Sequence, residues 1–172
     1  MTTSGCATIL DSVEITQDFV SAGLRDARYI TNERTKTAIF LALALEQPLL
    51  IEGPAGAGKT EIAKVLAAML HTVLVRLQCY EGLDEARALY EWNYQKQLLR
   101  LQVGEHQGLR WEELSEHIFS RDFLLERPLL KAILAPRKVV LLIDEIDKAD
   151  EEFEAFLLEA LSDFQVSVPE LG

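Results

Sequence analysis

The chain has 172 residues, of which 49% are hydrophobic and 26% are charged, and its formal net charge at pH 7 is −11. This length and hydrophobic content fit one globular domain with a core of its own. The negative charge repels a phosphate backbone, which argues against nucleic acid as a partner and favours proteins.

The sequence predicts no integral membrane segment. Its longest apolar run, from Ala38 to Leu45, is far shorter than the ~20 residues that a membrane span needs. The N-terminus lacks the basic segment and apolar stretch of a secretory signal, so we expect a cytoplasmic protein. The cysteines and histidines do not have the spacing of a metal site, and none is predicted for them.

Helices and a strand are predicted before the first motif. Residues 1–16 are expected to form an extended lead-in, and residues 17–28 a helix. The Ala- and Leu-rich segment 33–46 has the length of a buried helix, which Pro48 ends. The short apolar run 49–51 then predicts a buried strand that leads into a glycine-rich loop.

A helix and a strand are predicted after that loop. Apolar residues recur at the spacing of one helical face as far as His71, and residues 73–77 are the next strand candidate. Further along, helices are expected around 111–119 and 128–134. The intervening polar and aromatic stretch, 80–110, gives no clear pattern.

The last part of the chain has stronger patterns. Residues 139–143 form a continuous apolar run, which suits a central parallel strand buried on both faces. Residues 151–164 place apolar side chains at helical spacing with acids off that face, which predicts an amphipathic helix. Residues 165–168 alternate polar and apolar side chains and are expected to open a hairpin.

The glycine-rich loop matches the pattern G-x-x-x-x-G-K-[ST] between a predicted strand and a predicted helix. Its glycines let backbone N–H groups point at phosphate oxygens, and the following helix adds the positive end of its dipole. Lys59 is predicted to reach the β- and γ-phosphates of ATP, and the Thr60 hydroxyl to ligate Mg²⁺. The alternative is a glycine turn that merely joins strand to helix, which the flanking elements disfavour. The candidate nucleotide-binding residues are Gly53, Pro54, Ala55, Gly56, Ala57, Gly58, Lys59, Thr60 and Glu61.

Two acids, Asp144 and Glu145, end the apolar run. Ligands collect at the carboxyl ends of strands in open α/β sheets, so these acids are expected near the loop. Asp144 is predicted to hold Mg²⁺ through its water shell, and Glu145 to orient or deprotonate the attacking water. The alternative reading is a turn that caps the next helix, and we assign that capping role to Asp147 and Asp150.

Three segments together resemble the MoxR family of AAA+ ATPases, and within that family their residues are most similar to the CoxD-like branch. They are GPAGAGKTEIAK (53–64), LQCYEGLDEARALYEWNYQKQLL (77–99) and LLIDEIDKADEEFEAFLLEALSDFQVSVPELG (141–172). The resemblance spans residues 17–172. It implies an α/β P-loop NTPase (AAA+) fold, a three-layer sandwich around a parallel sheet, with ATP and Mg²⁺ as ligands.

The resemblance also implies site residues and partners. The loop carries over as Walker A, and Asp144 and Glu145 carry over as Walker B. Tyr29 and Ile30 fall in the region that contacts adenine, although such a pair also suits plain core packing. Similar proteins act as hexameric ATP-driven chaperones, often beside a partner with a von Willebrand factor A domain. CoxD-like members are associated with the maturation of molybdenum hydroxylases.

The sequence departs from the family pattern at its C-terminus. The sensor strand, the arginine finger and the helical lid of AAA+ proteins do not occur up to Gly172. In the family the sensor strand lies between the Walker A and Walker B strands, so the resemblance implies an incomplete AAA+ core. We therefore expect the 172-residue chain by itself to be inactive as an ATPase.

The predicted function is ATP binding and hydrolysis by a MoxR-like chaperone that matures or remodels a client protein. One alternative is a nucleotide-binding regulatory or scaffold module without effective turnover. Another is a small-molecule kinase, but the paired acids after the strand favour transfer of the phosphoryl group to water.

Overall fold

The structure is a computed structural model that describes residues 14–107, 118–163 and 166. The chain divides into two compact units. The described part of the first unit comprises residues 14–76 and 135–144, and that of the second comprises 77–107, 118–134, 145–163 and 166. The helix expected at 111–119 lies outside the described residues except for its last two positions. The hairpin expected at 165–168 lies outside them except for position 166.

The element bounds follow the chain in order. The described helices are α1 (Gln17–Asp26), α2 (Glu33–Leu45), α3 (Lys59–Met69), α4 (Glu85–Leu89), α5 (Tyr94–Gln107), α6 (Pro128–Ile133) and α7 (Glu151–Asp163). The described strands are β1 (Leu74–Gln78), β2 (Tyr90–Trp92), β3 (Leu124–Glu126) and β4 (Val140–Asp144). Short 3₁₀ turns occupy Arg121–Phe123 and Ile146–Lys148. No helix within the described ranges is long and apolar enough to cross a membrane.

Side-chain caps start the first two helices. The Thr16 hydroxyl accepts a hydrogen bond from the Phe19 N–H at 3.1 Å and begins α1. Asn32 accepts one from the Thr35 N–H at 2.8 Å and begins α2. Such caps satisfy N–H groups that have no partner within the helix. Both predicted helices are confirmed.

The core of the first unit fixes the position of α3. Its buried residues come from three helices, and burying each such side chain stabilises the fold by about 1.5–3 kcal/mol. They are Val20, Leu24, Ile39, Ile62 and Val65. Gly23 allows α1 to approach α3 closely, because a Cβ at this position would overlap Met69. The N-terminus of α3 is therefore held by packing along the rest of the helix.

The prediction that α2 is a buried helix is wrong. Ile39 is its buried residue, whereas Leu41 and Leu45 are 47% and 65% exposed. The helix packs against α1 along one face, and the Ala/Leu-rich sequence gives its other faces no polar side chains to mark them as exposed.

β1 and β4 pair in a two-stranded parallel sheet. The Val140 N–H donates to the Val73 carbonyl oxygen at 3.0 Å. Both strands confirm the sequence predictions within one residue. Every residue of β4 is only half-buried, however, so the prediction of burial on both faces is wrong. In the first unit, α3 packs against this strand.

The predicted strand at 49–51 is also wrong, because these residues have no regular secondary structure. A strand needs hydrogen bonds to a neighbour, and within the described residues the sheet of the first unit consists of β1 and β4. Leu49 and Ile51 still pack against the helical core, while Leu50 is 73% exposed. Residues 49–51 therefore show the alternating burial of an extended segment but do not pair with a neighbouring strand.

The second unit contains the polar and aromatic segment whose secondary structure could not be predicted from its pattern. There β2 pairs antiparallel with β3, and Trp92 lies opposite Leu124. The Arg127 N–H donates to the Leu89 carbonyl oxygen at 2.8 Å and links the end of α4 to the start of α6. α6 begins with Pro128 at its first position and confirms the predicted helix.

α7 confirms the predicted amphipathic helix. Phe153, Leu157 and Ala160 are buried. Asp150 Oδ1 accepts a hydrogen bond from the Phe153 N–H at 2.8 Å, which confirms its predicted capping role. Asp147 instead lies in the preceding 3₁₀ turn and is exposed, so its predicted capping role is wrong.

Candidate nucleotide site

The glycine-rich loop, residues 53–60, runs from an extended segment into α3. Gly56 and Gly58 each have φ of 79°, in the left-handed region that L side chains rarely adopt. Gly58 is the N-cap of α3 and supplies no side-chain cap. The N–H groups of Glu61 and Ile62 donate to its carbonyl oxygen at 3.1 and 3.3 Å. The earlier N–H groups of the first turn have no partner within a helix and suit an anion.

Lys59 folds back over the loop that precedes it. Its ammonium donates to the carbonyl oxygen of Pro54 at 2.9 Å and to that of Gly53. The positive charge is thereby held within the curve of the loop. A phosphate that binds there would meet a lysine already directed inward.

Thr60 and Asp144 meet although 84 positions separate them in the sequence. The Thr60 hydroxyl donates to Asp144 Oδ2 at 3.3 Å. The same oxygen accepts a hydrogen bond from the Arg76 guanidinium at 2.7 Å. The Asp144 side chain is 18% exposed and that of Arg76 is 53% exposed. The first unit therefore places a hydroxyl, a carboxylate and a guanidinium at one point.

Glu145 follows directly in sequence and belongs to the second unit. Its backbone is left-handed, with φ of 56° and ψ of 44°. Its carboxylate accepts a hydrogen bond from the Lys148 ammonium. That hydrogen bond and the charge of Glu145 raise the pKa of Lys148 above its ordinary value of 10.5.

The remaining candidate nucleotide-binding residues, Tyr29, Ile30 and Glu61, differ in exposure and in hydrogen-bond partners. The Tyr29 hydroxyl donates to the Gly58 carbonyl oxygen at 3.3 Å, and its ring packs against the core of the first unit. Ile30 is 97% exposed. The exposed Glu61 pairs with Lys64 at 2.7 Å. Tyr29 thus lies beside the loop, whereas Ile30 is directed away from the core.

The family of this chain follows from its match to a protein-family model. The model described as "AAA domain (dynein-related subfamily)" matches residues 48–172, which is more than half of the chain. The chain belongs to this AAA domain family. No curated protein and no solved structure matches the chain.

Family membership establishes the general character of this AAA domain. It has the α/β fold of a P-loop NTPase, and it is an ATP-binding AAA+ ATPase domain. AAA+ domains typically oligomerise. The matched region contains the glycine-rich loop, Asp144 and Glu145.

The residues of this AAA domain fit ATP with Mg²⁺. Mg²⁺ prefers oxygen ligands, and the Thr60 hydroxyl and Asp144 carboxylate already lie within hydrogen-bonding distance of each other. Lys59 and the first turn of α3 offer positive charge and N–H donors to phosphate oxygens. The first unit therefore contains both the oxygen ligands for Mg²⁺ and the positively charged and N–H groups for phosphate.

Two basic residues of this AAA domain contact the paired acids but were not predicted as site residues from the sequence. Arg76 is the charged residue of the strand Leu74–Gln78, and that single charge between apolar neighbours was the available signal. Lys148 follows Glu145 by three positions, which is the spacing of a local ion pair. Neither residue belongs to the loop or acid motifs, so the motifs alone do not point to them.

Proposed function

We propose that this AAA domain is part of a MoxR-like chaperone that hydrolyses ATP to mature or remodel a client protein. The resemblance of segments 77–99 and 141–172 supports this branch, and it points to a molybdenum hydroxylase as the class of client. By the same resemblance, the assembly is a homo-hexamer that works beside a partner with a von Willebrand factor A domain, and we propose the cytoplasm as its location.

The contact between Thr60 and Asp144 carries the nucleotide part of the proposal. These two residues would hold Mg²⁺, which supplies charge neutralisation at the phosphates when it is bound with ATP. Lys59 binds the β- and γ-phosphate oxygens, and the loop N–H groups orient them. Glu145, the residue after Asp144, accepts the proton of the attacking water. Tyr29 is proposed to lie at the adenine end of the loop.

Replacing Lys59 tests the binding role. Lys59→Ala removes the cation that lies within the loop, so the dissociation constant for ATP should rise by about tenfold to a hundredfold. Titration of a fluorescent ATP analogue with Mg²⁺ measures the change.

Lys36→Ala is the matched control, because Lys36 lies on α2 in the same unit and pairs with Glu33. An exposed pair of this kind contributes little to stability, so ATP affinity should be unchanged. A dissociation constant for Lys59→Ala within threefold of wild type contradicts the assigned role.

The ion pair between Glu145 and Lys148 favours a second candidate, a nucleotide-binding regulatory or scaffold module without effective turnover. The Lys148 ammonium competes with water for the oxygens of this carboxylate, which makes Glu145 a weaker proton acceptor. In an assembly that supplies the sensor strand and the arginine finger, steady phosphate release over many turnovers supports the ATPase, and ATP binding without such release supports the regulatory module.

A further inference from the structure

Arg76 shares one carboxylate oxygen with Thr60. Its guanidinium donates to Asp144 Oδ2 at 2.7 Å, and the Thr60 hydroxyl donates to the same atom at 3.3 Å. Arg76 reaches this atom from β1, the strand that pairs with β4, whose last residue is Asp144. Pairing of the two strands therefore brings the backbone of Arg76 close enough for its guanidinium to reach the carboxylate.

In this geometry the Arg76 guanidinium would repel a divalent cation bound at Asp144. A cation held by Thr60 and Asp144 lies next to the oxygen that Arg76 already contacts. Two positive groups repel each other at such short range, most strongly where the environment screens them less than bulk water does. Asp144 is mostly shielded from solvent, with 18% of its side chain exposed.

We propose that Arg76 is a positioning residue that competes with the divalent cation for Asp144 and so limits cation affinity. The guanidinium orients the carboxylate toward Thr60 while it opposes a cation that arrives without nucleotide phosphates. ATP brings negative charge that offsets this opposition, so cation and nucleotide bind together more tightly than the cation binds alone. The proposal rests on the ATP site proposed above.

A merely structural ion pair is the competing interpretation. Exposed pairs of arginine and carboxylate often contribute little, and the Arg76 side chain is 53% exposed. A structural role predicts a change in stability when Arg76 is replaced. It predicts no gain in cation affinity, so cation binding separates the two interpretations.

The experiment measures Mn²⁺ binding to the purified protein by electron paramagnetic resonance, without added nucleotide. Arg76→Met keeps an unbranched stem and removes the guanidinium with its charge. Because the removed contact is a charge-assisted hydrogen bond, Mn²⁺ should bind about tenfold more tightly. Arg76→Lys keeps a single positive charge, so its gain should be less than about threefold.

Two controls test whether the effect acts through Asp144. Arg34→Met makes the same charge change at an exposed position of α2 in the same unit and should leave the Mn²⁺ dissociation constant unchanged. In an Asp144→Asn background, Arg76→Met should also have no effect, because the shared carboxylate is gone.

A measurement on the wild-type protein covers the case in which Arg76→Met does not fold. The side-chain nitrogen signal of Arg76, assigned by its loss in Arg76→Lys, should shift when Mg²⁺ is titrated in. Its midpoint should match the Mg²⁺ dissociation constant obtained by displacement of Mn²⁺.

The outcomes separate this inference from the proposed function. An Arg76→Met affinity within twofold of wild type, an equal gain in the Asp144→Asn background, or an unmoved Arg76 signal overturns the competition. If the wild type meanwhile binds ATP and Lys59→Ala binds it at least about tenfold more weakly, the nucleotide site stands and only the role of Arg76 fails. If the wild type does not bind ATP at all, the proposed function fails.

Discussion

Asp144 and Glu145 are neighbours in the sequence but have different partners. Asp144 ends a strand and contacts Arg76 and Thr60 within the first unit. Glu145 has a left-handed backbone and pairs with Lys148 in the second unit. A lysine is protonated throughout the neutral range, and the hydrogen bond with Glu145 raises the pKa of Lys148 further. Glu145 is therefore paired with a cation that competes with water for its oxygens.

Glu145→Gln should separate binding from turnover. Glutamine keeps the shape of the side chain but cannot accept the proton, so ATP should bind within about threefold of wild type. In an assembly that supplies the sensor strand and the arginine finger, phosphate release should fall by about 10²–10⁴-fold. Single-turnover phosphate release and fluorescent-nucleotide titration measure the two quantities.

Glu152→Gln provides the matched control, since Glu152 is an exposed acid in the first turn of α7. It should change neither quantity. Wild-type rates of phosphate release from Glu145→Gln would remove Glu145 from the role of base.

At the scale of elements, the cap of α7 offers a direct test of stability. Asp150→Ala removes the acceptor of the Phe153 N–H and should lower the free energy of unfolding by about 1 kcal/mol. Urea denaturation measures the change.

Asp150→Asn should retain most of this stability, because asparagine caps helices about as well as aspartate. Both variants should bind ATP like the wild type. Equal stability of the Ala and Asn variants would show that the cap contributes nothing.

The elements also show what a sequence can predict. Periodic apolar spacing located α3 and α7 within a few residues, because helical hydrogen bonds are local. The segment 49–51 has the composition of a strand, but strand formation depends on a neighbour that composition does not specify. The position of α2 was predicted correctly, but its burial was predicted wrongly. In an Ala/Leu-rich helix the sequence does not distinguish the face that packs from the faces that are exposed.

The same limit applies to the candidate site. The loop and the two acids follow from motifs whose spacing is fixed by phosphate and Mg²⁺ chemistry. The ion pair of Arg76 with Asp144 joins residues 68 positions apart, and only the pairing of β1 with β4 brings them together. A charge in an apolar strand signals that a partner exists without saying which residue it is.

At the scale of the whole molecule, ligand binding should appear as stability. The net charge is −11, yet Lys59 and Arg76 place positive charge near Thr60. MgATP at about a hundred times its dissociation constant should add about 2.7 kcal/mol to the free energy of unfolding. For a chain of this length, that corresponds to a rise of about 5–10 °C in the melting temperature.

Thermal unfolding followed by circular dichroism measures this shift. Lys59→Ala should reduce the shift to about half or less at the same nucleotide concentration, because its dissociation constant for ATP is expected to be about tenfold to a hundredfold higher. An equal shift in Lys59→Ala would mean that MgATP stabilises the protein at a site other than the glycine-rich loop.

The left-handed backbone at Glu145 also determines which natural variants the position tolerates. Branched side chains such as valine are strongly disfavoured at positive φ, whereas glutamine adopts it at the same cost as glutamate. Glu145→Val, which needs one nucleotide change, would therefore disturb the turn as well as the chemistry. Loss of function in a valine allele thus says less about proton transfer than loss of function in a glutamine allele.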